Sequence, residues 1–288
     1  MTKIIELAPA KVNLYLHVGG LRPDGLHDLA SCFVFVDVGD IVTVRPASEL
    51  SLSIDGPFSD ALANDDINQN LILLAARELQ QEAGLGNGAE IILDKRLPVA
   101  AGIGGGSADA AAAIRALTRL WSLDLSHHTL EKLAFRLGAD VPACLSSRPC
   151  RVGGAGEVIS SGTRLPPLWL CLINPGVPTP TGSVFQAFDQ ANPNPPPPEH
   201  VDPTSRSLAG MVDLMAQSRN DLETAAIEQV PVIQDVLSFL SKRPGQIATR
   251  MSGSGATCFA VFGSREAAKR AASAARSHQW WGSFGAIL

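Results

Sequence analysis

Between Lys11 and His17 the chain alternates strictly. Lys11, Asn13, Tyr15 and His17 fall on one side of an extended segment, and Val12, Leu14 and Leu16 on the other. That is the period of two that a β-strand imposes, so KIIELAPAKVNLYLHV reads as strand. GGLRPDGLHDL, rich in turn formers, reads as a connection. SCFVFVDVGDIVTV reads as two strands with a turn at Gly39-Asp40. The period becomes helical in NLILLAARELQQEAG, which closes on Gly84 as a C-terminal cap. AEIILDKRLP returns to strand and ends at Pro98. Helices follow at Ser107–Leu120 and in SHHTLEKLAFRLG, where Ser126 is placed as N-cap and Gly138 lies past the end. Beyond Cys150, RVGGAGEVIS and LWLCLINPG read as short strands, and LMAQSRNDLETAAIEQ and VIQDVLSFLSKR as helices. RMSGSGATCFAVFGS reads as a glycine turn and a strand, and REAAKRAASAARS as a final helix. The stretch Asn192–Pro203 holds too many prolines for a regular element and reads as an exposed, partly extended loop; a peptide-ligand segment is the alternative. Strands and helices alternate without a regular βαβ period or an internal repeat. That predicts an α+β fold in two lobes, residues 1–152 and 153–288.

Composition narrows the class. The 288 residues are 45% hydrophobic and 18% charged, with a formal net charge of −5. This is the profile of an ordinary globular chain and argues against a non-specific nucleic-acid binder. An anionic ligand would have to be held locally, by backbone N–H groups and a few placed cations. The cysteines (Cys32, Cys144, Cys150, Cys171 and Cys258) are odd in number and lack CxxC spacing. Reduced thiols and a cytoplasmic address are expected from that. The start, MTKIIELAPAK, has no apolar core of a signal peptide, and no apolar run approaches the roughly 20 residues needed to cross a bilayer.

The chemistry concentrates in LPVAAGIGGGSADAAAAIRAL, Leu97–Leu117. Glycine allows positive φ and close approach of a backbone or ligand. A helix start leaves its first N–H groups unpaired and carries partial positive charge. Together they make a cradle for phosphate; a tight strand-to-helix turn without a ligand is the alternative. A Walker loop needs a lysine after the glycines, and none follows. A Rossmann fingerprint needs a third glycine where Ser107 stands and an acid closing the next strand, whereas Asp124 follows a helix.

PVAAGIGGGSADAA resembles the PxxxGLGSSxA signature of the galactokinase, homoserine kinase, mevalonate kinase and phosphomevalonate kinase (GHMP) superfamily. Its triple-glycine form is similar to the family of kinases acting on 4-diphosphocytidyl-2-C-methyl-D-erythritol, in the non-mevalonate isoprenoid pathway. APAKVNLYLHV resembles that family's PAKxNLxL strand, RPDGLHDL its RxDGYHxL segment, and LGADVP and SGSGATCFAVF its two later motifs. These fall in order over residues 8–262.

The resemblance implies a two-lobed GHMP kinase fold with an ATP-binding N-terminal lobe and a smaller C-terminal lobe. It implies ATP-dependent phosphorylation of the 2-hydroxyl of that cytidine diphosphate derivative, with Mg2+. The triphosphate would lie on Pro98, Val99, Ala100, Ala101, Gly102, Ile103, Gly104, Gly105, Gly106, Ser107 and Ala108, with Lys95 in reach and Ser107 as the metal ligand. The catalytic pair maps onto Asp140 as general base and Lys11 as the cation that keeps it ionised and stabilises the transferred phosphoryl; a solvated strand lysine and a turn-forming aspartate are the ordinary readings. His27 would read the cytosine ring, with Phe185 on one face of the base and Leu26 where relatives carry tyrosine on the other. Asn13 and Thr181 are polar partners for the methylerythritol and diphosphate, and Gly253 and Gly255 let a loop approach the site. Ala108-Asp109 replaces the family's usual Ser-Asn, and the Asp109 carboxylate is expected to point away from the phosphates. His127-His128, adjacent on a helix, read as surface. A small molecule is the only partner implied, with neither membrane nor nucleic acid, in a monomer or homodimer.

Overall fold

Two long strands begin the chain, β1 over Ile4–Leu21 and β2 over His27–Ala47, joined by a turn in which Gly25 takes φ 82°. The computed structural model describes residues 3–161, 165–203 and 205–288. The chain groups into two units that do not divide it at one point. Unit one holds Met1–Ala10, Gly39–Val99 and Gly104–Ser147, and unit two holds Lys11–Val38, Ala100–Ile103 and Arg148–Leu288. The single boundary expected at residues 152 and 153 thus differs from this grouping, because β1 and β2 each run through both units.

Unit one pairs the second half of β2 with two more strands. β3 (Leu50–Asp55) runs parallel to β4 (Gly88–Asp94), and β4 runs antiparallel to Ile41–Ala47 of β2. Between them lies α1 (Leu71–Ala83), capped by the Asn70 side chain at one end and by Gly84 in the left-handed conformation at the other. α2 (Gly105–Leu120), α3 (His127–Leu137) and α4 (Val141–Ser146) follow. α2 buries Ala108, Ala110–Ala113 and Ala116, and these short side chains let α1 and α4 pack close to its axis. Arg115 of α2 donates to Glu6 Oε2 at 2.9 Å, Leu7 O at 2.8 Å and Cys144 O at 2.8 Å. One half-buried side chain thereby ties α2 to the start of β1 and to α4. α3 is capped as expected, Ser126 Oγ accepting from Thr129 N at 3.1 Å.

In unit two, the first half of β2 pairs with β5 (Cys150–Gly154), which pairs with β6 (Val158–Ser161), both antiparallel. A second sheet is formed by β7 (Trp169–Asn174), β8 (Gln246–Met251), β9 (Cys258–Phe262) and β10 (Trp281–Ala286), in the order β10-β7-β9-β8 and all antiparallel. The helices are α5 (Thr181–Ala191), α6 (Leu208–Gln217), α7 (Glu223–Gln229), α8 (Val232–Ser241) and α9 (Arg265–Ala274). They bury Val184, Phe188, Ile233, Val236, Leu240, Ala268 and Ala271 with Cys171, Ile173 and Phe262 of the sheet in one core.

Three expectations change. Gly39-Asp40 is not a turn, since β2 runs straight through it. A Cβ on Gly39 would overlap the Ala8 carbonyl, and Asp40 is fully buried; the glycine serves close strand approach. The helix expected over LMAQSRNDLETAAIEQ breaks into α6 and α7. Arg250 donates to Met215 O at 2.7 Å and Ser218 O at 2.6 Å, capping α6 with a guanidinium. The glycine-rich helix starts at Gly105, two residues before Ser107.

The proline-rich stretch Asn192–Pro203 is irregular and largely exposed, as expected, but its end is fastened to β1. His17 Nδ1 lies 2.7 Å from Glu199 O, and Tyr15 Oη lies 3.2 Å from His200 Nδ1 and accepts from Val201 N at 3.2 Å. All five cysteines are buried thiols outside any disulfide. Among the described residues no helix is long and apolar enough to cross a membrane.

Candidate functional site

Lys11 stands on the buried stretch of β1, where both strand faces are covered and its residue is 5% exposed. A solvated lysine is therefore ruled out. Its Nζ donates to Asn13 Oδ1 at 3.2 Å and lies 4.2 Å from the centre of the Phe33 ring. Asn13 Nδ2 donates to Ser31 Oγ at 2.9 Å, and Ser31 Oγ to Tyr15 O at 2.5 Å. This chain of bonds fixes the asparagine amide and aims its carbonyl oxygen at the ammonium.

The same strand grips the first part of the glycine-rich segment. Lys11 N donates to Ile103 O at 3.0 Å, and Ser252 Oγ accepts from Asn13 N at 3.1 Å while donating to Gly102 O at 2.9 Å. Thr257 N donates to Ala101 O at 3.2 Å. Gly102 has φ 73°, and a Cβ there would overlap Ser252 O and come within 2.7 Å of Gly255 O. A Cβ on Gly253 would lie 3.0 Å from Gly102 O. The two glycine segments, 150 residues apart in sequence, thus lie backbone against backbone. Asn220 holds the later one, donating to Met251 O at 2.9 Å and Gly253 O at 2.8 Å. Gly253 and Gly255 were expected to bring a loop to the site; Ser252 and Asn220 were not anticipated, because their roles depend on pairings no local pattern carries.

In unit one, Gly104 takes φ 62° as the N-cap of α2 and no side chain caps that helix. The first-turn N–H groups of Gly105, Gly106 and Ser107 are therefore left to whatever lies before the helix. Gly106 is exposed and Ser107 half-buried. Ala108 is fully buried and its N–H donates to Gly104 O at 2.9 Å, so that N–H is not among those left open. Pro98 is buried, Val99 half-buried and Ala100 exposed at φ 51°.

Lys95 lies beneath this turn. Its Nζ is 2.7 Å from Asp40 Oδ2 and 2.6 Å from Asp109 Oδ2, and a Cβ on Gly105 would lie 3.1 Å from it. Asp40 Oδ1 also accepts from Arg96 N at 2.5 Å and Leu97 N at 2.8 Å, whereas Asp109 Oδ1 is buried with no hydrogen-bond partner among the described residues. Burial works against the Lys95 charge, yet the Asp109 and Asp40 carboxylates outweigh it and raise its pKa. Burial pushes Asp109 up to about 8, with Lys95 opposing and Asp40 adding. The Asp109 carboxyl is turned into the core, against Lys95. The Lys95 ammonium, expected to reach nucleotide, is engaged by two carboxyls.

Asp140 is the N-cap residue of α4, with φ −82° and ψ −19°, and its side chain does not cap the helix. Gly138, at φ 157°, and Pro142 in the first turn shape this entry. Lys11 belongs to unit two and Asp140 to unit one.

Unit two also brings together residues expected at a base. His27, the first residue of β2, has its ring centre 4.9 Å from that of Phe185, and its Nε2 lies 2.8 Å from Asp189 Oδ1. Leu26 beside it is 53% exposed. Thr181 Oγ1 is 2.8 Å from Ser254 Oγ. Asp189 was not anticipated; its signal was the spacing of four residues from Phe185 on one helix. Among the described residues no three His, Cys, Asp or Glu side chains are grouped to hold a metal ion, and His127 and His128 are exposed.

Residues 70–148 match the family described as GHMP kinases N terminal domain, and residues 204–279 match GHMP kinases C terminal. The 4-diphosphocytidyl-2-C-methyl-D-erythritol kinase of Hyphomonas neptunium is 49% identical, covering 95% of this chain and 93% of that protein. The kinase of the same name from Paramagnetospirillum magneticum is 46% identical, covering 98% and 97%. The fold superposes on a crystal structure of 4-(cytidine 5'-diphospho)-2C-methyl-D-erythritol kinase with a TM-score of 0.80 and 32% identity, covering 99% of each chain.

Proposed function

The chain belongs to the GHMP kinases, and we infer that it is an ATP-dependent kinase whose acceptor is the 2-hydroxyl of 4-diphosphocytidyl-2-C-methyl-D-erythritol. The observation that carries the reading is similarity at 49% identity, along nearly the whole length of both chains, to a kinase of that name. The reaction belongs to the non-mevalonate route to isoprenoid precursors, and the cytoplasm is the expected site.

The residues fit a nucleoside triphosphate. The α2 N-terminus lacks a side-chain cap, and the glycines before it keep the backbone bare, which suits the γ- and β-phosphates. Lys95, engaged by Asp40 and Asp109, supports the turn that carries Gly105 from below. Mg2+ bound with the nucleotide would offset phosphate charge. Ser107, half-buried in the first turn of α2, would be the protein's contribution to holding it.

Asp140 accepts the proton of the acceptor hydroxyl, a tertiary alcohol too weakly acidic to react without a positioned base. Lys11, held by Asn13, supplies positive charge where the alkoxide and the transferred phosphoryl develop negative charge. His27, Phe185 and Leu26 face the cytosine, and Thr181 and the turn at Gly253 and Gly255 face the rest of the acceptor. ADP release measured separately with the cytidyl substrate, homoserine and mevalonate tests the reading. Turnover with the cytidyl substrate alone is expected, and turnover with homoserine alone would overturn it.

A further inference from the structure

The His27 imidazole is held at two points by one helix. Phe185 and Asp189 are four residues apart on α5 and so share a face. Burial of Val184 and Phe188 in the core fixes which face that is. The Phe185 ring lies against the imidazole at an interplanar angle of 32°, and Asp189 Oδ1 takes Nε2 at 2.8 Å. The histidine side chain is 9% exposed and the aspartate 39%. A carboxylate can only accept. In a neutral imidazole that partner puts the proton on Nε2 and leaves Nδ1 with a lone pair. Nδ1 has no hydrogen-bond partner among the described residues.

We propose that Asp189 is a positioning residue that locks His27 in the Nε2–H tautomer, so that Nδ1 accepts from an exocyclic amino group and the site selects cytosine over uracil. The inference rests on the reading that His27 faces the base. Cytosine and uracil differ in hydrogen bonding at ring position 4, where one presents an amino donor and the other a carbonyl acceptor. A lone pair at Nδ1 attracts the first and repels the second. Phe185 contributes the apolar contact either base would accept, so discrimination falls on the tautomer.

The test compares kcat/KM for the cytidyl substrate and its uridyl analogue in the wild type, Asp189→Asn, Asp189→Glu and His27→Gln. Imidazole 15N spectra of the wild type and the Asp189 variants are recorded beside them, with the His27 signal assigned through its loss in His27→Gln. The wild type is expected to show Nε2 protonated and to prefer cytidyl. Asp189→Asn, whose amide can donate to Nε2, is expected to move the proton to Nδ1. The cytidyl preference then falls about 10-fold or more, the worth of one hydrogen bond to a base edge, with the loss falling on KM more than on kcat. Asp189→Glu is expected to restore part of it. A preference that survives His27→Gln would overturn the reading of His27 itself. A preference lost in His27→Gln but kept in Asp189→Asn, or a wild-type spectrum with the proton on Nδ1, would leave that reading standing and sink the role of Asp189.

Discussion

Lys95 Nζ and Asp109 Oδ2 lie 2.6 Å apart in the core of unit one, and Asp40 takes the same ammonium from the other side at 2.7 Å. A buried cation with two carboxyl partners is a poor source of net stability but expensive to break, since removal of one member strands the others. Lys95→Met is expected to destabilise the protein by ~3–5 kcal/mol in chemical denaturation. Asp109→Asn, which keeps the size and an acceptor for Lys95, is expected to cost less than Lys95→Met. Equal losses in the two variants would show that Asp109 is held as a full carboxylate.

Asp140→Asn removes the proposed base while keeping shape. Turnover is expected to drop by about 10²-fold or more, with nucleotide affinity by calorimetry unchanged within about 3-fold. Near-normal turnover would take the proton transfer away from Asp140.

Gly102 and Gly106 separate folding from ligand binding within one loop. Gly102→Ala adds a Cβ that overlaps Ser252 O at φ 73°, so lower thermal stability is expected. Gly106 has only Leu71 Cδ1 nearby, at 3.7 Å, and helical backbone. Gly106→Ala should therefore gain up to about 1 kcal/mol of helix stability, yet raise the KM for ATP by crowding the exposed first turn. A more stable protein with unchanged KM would remove Gly106 from the phosphate cradle.

Leu26 is exposed beside His27. Leu26→Tyr offers a π-face worth about 0.5–1.5 kcal/mol and is expected to lower the KM for the cytidyl substrate about 2- to 10-fold. An unchanged KM in steady-state assays would mean that the base is stacked elsewhere.

Acid should loosen the proline-rich segment. Burial lowers the His17 pKa below its ordinary 6.5, against the pull of its bond to Glu199, and burial together with Arg151 lowers His200. Folded-state values below the unfolded one mean that this stability is whole above about pH 6.5 and is lost as pH falls through the folded values. His17 Nε2 already accepts from Arg219 N at 3.2 Å, so protonation there sets two donors face to face. The melting temperature is expected to fall from pH 7 to pH 5, less steeply in His17→Gln. A variant slope equal to that of the wild type would place the acid sensitivity elsewhere.

What the sequence disclosed follows the range of the forces involved. The α1 and α3 caps, the Lys11 strand and the glycine-rich turn are local and were legible. Gly39-Asp40 was misread because a turn and a close strand approach call for the same residue. The break between α6 and α7 depends on Arg250, more than 30 residues away. Ser252 and Asn220 were silent for the same reason: each acts on backbone brought near only by folding. The burial of Lys11 could not be read from alternation, because both faces of β1 are covered.

β2 is buried without interruption from Ala30 to Val36, so hydrophobic alternation cannot tell this strand which way to slide. Two neighbours of different character settle it. Gly39 admits the Ala8 carbonyl, and Asp40 delivers its carboxylate to Lys95. Slipping by one residue would drive the isopropyl group of Val38 or the carboxymethyl group of Asp40 into a carbonyl and strand an ammonium in the same stroke. The strand's alignment is thus written in one missing side chain and one charge, and drift at either position must be answered at once by the other.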